Sequence, residues 1–450
     1  MKLIRDASEI IAKTLGEQAV GQDEAVRLAS WCVAVPAGDG GVLLLNNFTK
    51  ELILIDDGDG LSGLHDLKET DSELFCYLSR HWFTVPVALD DKNLVDEVRS
   101  VVSCMNKPEG IVGYTILTTT DCNARCFYCY EQGLERVNMS RQTALDTAEF
   151  IKKTAGKKIK LHWFGGEPLF NSSVIDIITD ELKKSGIEYH STMTSNGYLV
   201  TDSVVKRAVE SWNLKGVQIT LDGTEEIYNR RKAYINPKGS AFQRVLDNIE
   251  KLLQAGISVS VRMNLDMDNA DDLHKLCDLL ADRFSSYEKF GAYAHYIFDG
   301  KTADSLYYTL DETYIELEKL RSYLREKGLA RRGKLGNTIK TSHCMADKDS
   351  SVVISETGKL YKCQHITPTT ESFGTIYTGV ENPDIIENWR KRPEDGEICE
   401  NCPLYADCVR LSSCPDDFAF CPQVIYDEKL EKLKSTMLYT YEEYLKTEHS

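Results

Sequence analysis

Cys122, Cys126 and Cys129 stand at CxxxCxxC spacing directly after an apolar, β-like run from Gly113 to Thr120. Three thiolates this close can hold three corners of a [4Fe–4S] cube, which leaves one iron without a local protein ligand and open to chemistry. A zinc knuckle with a distant fourth ligand is the plainer alternative, although zinc sites usually pair CxxC with a second such pair. A second group of seven cysteines, Cys344, Cys363, Cys399, Cys402, Cys408, Cys414 and Cys421, follows at the other end of the chain.

Ten of the fourteen cysteines fall in these two groups. The first residues lack the apolar core of a signal peptide and no run reaches a membrane span, so a cytoplasmic location without membrane association is expected. Thiols there stay reduced and serve as metal ligands better than as disulfides. Cys32, Cys76, Cys104 and Cys277 lie singly in mostly apolar surroundings and read as small buried hydrophobes. With 450 residues, 42% hydrophobic and 27% charged, two or three globular domains are expected. The net charge of −17 disfavours nucleic acid as a partner.

The elements that must position the cysteines alternate. Strand-like segments end at Gly165-Gly166-Glu167, at Ser195-Asn196-Gly197, at Asp222-Gly223 and at Arg262-Met263-Asn264, each stopping in residues suited to a functional rim. Between them, helical patterns span 140–154, 172–185, 202–211, 240–255 and 270–283. Such βα repetition implies a parallel sheet with ligands at the carboxyl ends of its strands.

These segments together resemble the radical S-adenosylmethionine (radical SAM) superfamily. The resemblance implies an α/β fold with a partial (β/α)6 barrel over 111–305, a [4Fe–4S] cluster on Cys122, Cys126 and Cys129, and S-adenosylmethionine chelating the open iron. By the same resemblance Gly165, Gly166 and Glu167 meet the cofactor's amino group, Arg262 its carboxylate, Ser195 and Asn196 its carboxylate or ribose, and Tyr128 packs near adenine. As residues alone, Gly-Gly-Glu and Ser-Asn-Gly are also ordinary turn chemistry, and Tyr128 could merely shield a cluster.

Residues 341–422 resemble the SPASM extension of that superfamily, which implies two auxiliary [4Fe–4S] clusters. Matched by position, Cys399, Cys402, Cys408 and Cys421 close one, while Cys344, Cys363 and Cys414 hold the other through three thiolates. The intervals from Cys344 to Cys363 and from Cys408 to Cys414 are longer than the family's, which puts single ligand assignments in doubt. His343 competes for the open corner, since imidazole can ligate such iron. A structural zinc module is the alternative for these seven cysteines.

Residues 1–110 balance 10 Lys and Arg against 19 Asp and Glu, a net −9. A helix over about 6–31, strands at 41–47 and 51–56, and helices near 71–82 and 91–105 suggest a winged-helix-like module. It resembles elements that capture the leader of a precursor peptide on a sheet edge; a simple cap over the barrel is the alternative. Residues 306–340 read as a connector and 423–450 as a charged helical tail lying on the surface. The combined expectation is an enzyme that modifies a ribosomally made peptide, forming a cysteine thioether and drawing electrons from a donor such as flavodoxin or ferredoxin. Rival readings are carbon–carbon cross-linking, formylglycine formation as in anaerobic sulfatase maturases, and a non-catalytic iron–sulfur or zinc scaffold. No single catalytic residue is assigned.

Overall fold

The computed structural model describes residues 1–18, 25–38, 40–56, 72–297, 303–330, 333–414 and 421–448. Its strands are β1 (Lys2–Arg5), β2 (Val26–Leu28), β3 (Cys32–Pro36), β4 (Val42–Asn46), β5 (Glu51–Ile55), β6 (Thr84–Pro86), β7 (Ile111–Leu117), β8 (Ala155–Phe164), β9 (Glu188–Ser195), β10 (Leu214–Thr220), β11 (Ser258–Leu265), β12 (Phe290–Tyr296), β13 (Ser351–Ile354), β14 (Lys359–Tyr361), β15 (Gly374–Thr375) and β16 (Gly379–Val380).

One mostly parallel sheet dominates, in the order β12-β11-β10-β9-β8-β7-β13-β14-β15-β16. From β7 to β12 the strands run parallel in sequence order, as the βα alternation requires. The helices that return between them are Arg141–Thr154, Ser172–Lys184, Asp202–Glu210, Ala241–Gln254 and Ala270–Phe284, close to the expected spans. Several start where a side chain accepts a backbone N–H of the first turn: Ser140 from Thr143, Thr201 from Val204, Ser240 from Gln243.

Alternation along β9 shows how the sheet sorts its residues. Tyr189, Ser191, Met193 and Ser195 are buried, with Tyr189 and Met193 in the core under the helices, while His190, Thr192 and Thr194 on the other face are half-buried. His162 of β8 shares that second face, bonding Thr192 Oγ1 at 2.8 Å and Thr194 Oγ1 at 3.2 Å. The concave face of the sheet is therefore polar.

β13 pairs parallel with β7, so the cysteine-rich segment continues the main sheet before turning antiparallel through β14 to β16. The amino-terminal segment builds its own sheet, β1-β5-β4-β3, with β2 and β6 as a separate pair. The long helix expected over 6–31 ends at Leu15, where Gly16 takes φ 69°, and Val26–Leu28 is a strand; residues 19–24 lie outside the described set. The tail is the expected helix, Gln423–Glu448, and it packs on the amino-terminal sheet, burying Met437 and Tyr441 against Val33, Val35, Leu43, Leu45, Leu52 and Leu54. Cys277 is buried as expected, but Cys76 and Cys104 are exposed and Cys32 is intermediate.

Candidate active site

The loop bearing Cys122, Cys126 and Cys129 leaves the carboxyl end of β7 and is laced to the end of β8. Gly166 N donates to Thr119 O at 3.0 Å and Glu167 N to Asp121 O at 3.0 Å. A Cβ on Gly165 would stand 2.2 Å from Thr119 O, at φ 115°, and one on Gly166 would stand 2.4 Å from Asp121 O. Backbone-to-backbone approach therefore demands both glycines, beside whatever they do for a ligand.

Glu167 is fully buried and accepts from Ser195 Oγ at 2.8 Å, Asn196 N at 2.8 Å and Leu169 N at 3.1 Å. Burial pushes its carboxyl up to about 7, against the pull of those donors and of Lys232. Asn196 Nδ2 in turn donates to Asn123 Oδ1 at 2.7 Å and reaches Cys122 Sγ at 3.8 Å. Glu167, Ser195 and Asn196 thus meet beside the cysteine loop, as their places at strand ends imply.

Burial pushes the Cys122 thiol up to about 12, with the Glu167, Cys126 and Cys129 charges adding to it, and the Cys129 thiol up to about 11. Cys122 and Cys129, costly to ionise alone, suit a soft metal centre, which would supply the missing positive charge.

Tyr128 and Lys232 meet on Asp222. The Tyr128 hydroxyl donates to Asp222 Oδ2, Lys232 Nζ donates to Tyr128 Oη at 2.7 Å, and Lys232 Nζ lies 3.1 Å from Asp222 Oδ2. Lys232 and Asp222 are 4% and 0% exposed. Backbone N of Arg125 donates to Lys232 O at 2.9 Å, tying the helix Glu225–Lys232 to the cysteine loop. Sequence reasoning missed Lys232 because it ends a short run of charged residues, which reads as a solvated surface.

Arg262 lies near the carboxyl end of β11. Its Nε donates to Asn264 Oδ1 at 2.8 Å, and its charge lowers the Tyr293 and Tyr130 hydroxyl pKa values against the upward push of burial. Tyr130, one residue past Cys129, stacks on His365, two past Cys363, with ring centroids 4.3 Å apart and planes 9° apart. One ring pair therefore spans the gap between the two cysteine groups. A cavity of about 950 Å³ lies beside the start of β7, lined among others by Lys107, Tyr114, His162, Asp349, Met345 and Gln364, and none of the ten grouped cysteines lines it.

In the cysteine-rich segment, Cys399, Cys402, Cys408 and Cys421 line one small cavity. Burial pushes the Cys402 thiol up to about 12, and the charges of the other three raise it further. Four thiols suit a soft metal centre by the chemistry of their donors, and Asp395 also lines the cavity. His343, beside Cys344, approaches Cys414 Sγ with Nε2 at 4.0 Å.

Residues 116–280 match the model of the Radical SAM superfamily. The chain is 26% identical over 274 residues to the GTP 3′,8-cyclase of Clostridium perfringens (strain 13 / Type A), a match covering 56% of this chain and 81% of the cyclase. Among solved structures, native anSMEcpe with bound AdoMet is similar over 74% of this chain and 99% of its own, with a TM-score of 0.56 and 16% identity. Streptococcus suis SuiB bound to precursor peptide SuiA is similar over 89% of this chain and 100% of its own, with a TM-score of 0.50 and 13% identity. At these identities the structural likeness is one of fold.

Proposed function

We propose that this radical SAM enzyme, whose residues 116–280 form the domain of that superfamily, acts on a ribosomally synthesised precursor peptide and joins a cysteine sulfur to a peptide carbon. When bound, the cluster and S-adenosylmethionine would supply a 5′-deoxyadenosyl radical that takes one hydrogen atom from carbon, and the thioether would form with loss of the thiol proton and of one electron, which an auxiliary iron–sulfur cluster would take up.

The chain's residues supply position. Cys122, Cys126 and Cys129 would hold the first cluster, and Glu167 would accept from the cofactor's ammonium, fixed by Ser195 and Asn196. Lys232 and Asp222 hold Tyr128, and with it the loop. The seven later cysteines would hold two auxiliary [4Fe–4S] clusters, Cys399, Cys402, Cys408 and Cys421 one and Cys344, Cys363 and Cys414 the other. The latter set has three thiolates in the matched positions, so where no distant residue fills it, its last corner is where a peptide thiolate would bind. The carrying observation is the Tyr130–His365 stack, which brings the loops that follow Cys129 and Cys363 into contact.

The amino-terminal sheet would receive the leader along β3, an edge strand of alternating burial that pairs with β4 alone among described residues. Its net −9 favours a leader carrying basic residues. That SuiB was crystallised with a precursor peptide supports a peptide substrate. The cyclase likeness favours a second reading, a purine nucleotide substrate.

Anaerobic reconstitution tests the reading. About twelve irons, four for each of three cubes, and 5′-deoxyadenosine released with a reductant are expected. Zinc in place of iron, or no cofactor cleavage, would remove it; consumption of GTP with no peptide modified would establish the nucleotide reading instead.

A further inference from the structure

His343 is held so that one ring nitrogen faces Cys414. Nδ1 lies 2.6 Å from the Val409 carbonyl oxygen. A carbonyl can only accept, so Nδ1 carries a proton, and in the neutral ring this leaves the lone pair on Nε2. Nε2 is the atom directed at Cys414 Sγ, at 4.0 Å. The backbone is fixed too, with His343 N and Cys344 N donating to the Asp347 carboxylate at 2.7 and 3.3 Å. Metal-binding imidazoles are commonly oriented this way, the second nitrogen giving its proton to a carbonyl or carboxylate.

We infer that His343 is the fourth protein ligand of the site formed by Cys344, Cys363 and Cys414. This rests on the auxiliary-cluster reading above. Imidazole substitutes for cysteine on iron in some iron–sulfur centres and raises their potential. The site at rest then has no vacancy, and a peptide thiolate enters by displacing a neutral imidazole with a softer, charged donor. His343 stands one residue before Cys344, and the fold presents its Nε2 to Cys414.

The test uses the full chain grown with 15N-histidine, reconstituted anaerobically with iron and sulfide, reduced, and examined by pulsed EPR without S-adenosylmethionine or peptide. A histidine nitrogen coupling is expected in the wild type and should vanish in both H343A and H343C. H343C, which keeps a ligand at the corner, should retain about twelve irons, four per cube, and show a more negative potential. Twelve irons without the coupling, or a coupling that persists in H343A and H343C, overturns the inference alone. About eight irons in the wild type overturns the auxiliary-cluster reading and the inference with it.

Discussion

Lys50, at the turn between β4 and β5, is 1% exposed and donates to Asp407 Oδ2 at 2.7 Å and Asn47 Oδ1 at 2.8 Å. Burial lowers its pKa and Asp407 pulls it back up. Asn47 Nδ2 donates to Pro403 O at 2.8 Å, and Arg99 bonds the carbonyls of Lys340 at 3.0 Å and Tyr405 at 2.7 Å. The hairpin tip is therefore seated between Cys402 and Cys408, and the amino-terminal sheet is tied to the cysteine-rich segment.

Asp407→Asn leaves a buried ammonium with weakened compensation. It should cost about 2–3 kcal/mol, at or below the range for broken buried pairs because Asp407 is partly exposed. Lys50→Met, which leaves only a solvated carboxylate, should cost less. Denaturant unfolding of the two variants ranks them, and equal losses would mean that the pair contributes nothing beyond packing.

Glu167 makes stability depend on pH. Its folded pKa, about 7, lies above the ordinary 4.5, so stability is fully present below about pH 4.5 and is lost as pH rises through 7. The loss should be on the order of 3 kcal/mol. Glu167→Gln should remove that slope, although it also disturbs the bonds from Ser195 and Asn196. Saturating S-adenosylmethionine, whose ammonium favours the ionised carboxylate, should shrink it. Unfolding free energies measured from pH 5 to 8 check both.

Gly165→Ala should displace the start of the cysteine loop, because its Cβ would stand 2.2 Å from Thr119 O at a φ of 115°. Iron should fall from about twelve to about eight, one cube's worth, and cofactor cleavage should cease.

Cys402→Ala should lose the same amount of iron, about four atoms, with a different consequence: cofactor cleavage persists while thioether formation stops. Comparing iron and 5′-deoxyadenosine in the two variants separates the sites.

Helix positions were legible because their caps are written in the chain: Ser140, Thr201, Ser240 and Asp90 each accept an N–H from the first turn. The cysteine groups were legible from spacing, and Glu167, Ser195 and Asn196 from strand ends. Asp222 was legible as a strand end but its pairing with Lys232 was not, because a buried ion pair is made by tertiary packing between a short charged helix and the end of β10. The same holds for the Tyr130–His365 stack, whose partners are 235 positions apart in sequence. Docking of Gln423–Glu448 onto the amino-terminal sheet joins opposite ends of the chain, and no local pattern announces it.

The most direct measurement is the mass of a cysteine-containing precursor peptide after anaerobic turnover with the reconstituted enzyme. The account predicts a loss of two hydrogens, about 2 Da, for each cross-link, abolished by Cys→Ala in the peptide and by blocking its thiols. An unchanged mass with active cofactor cleavage, or a 2 Da loss that survives removal of every peptide cysteine, would contradict thioether formation.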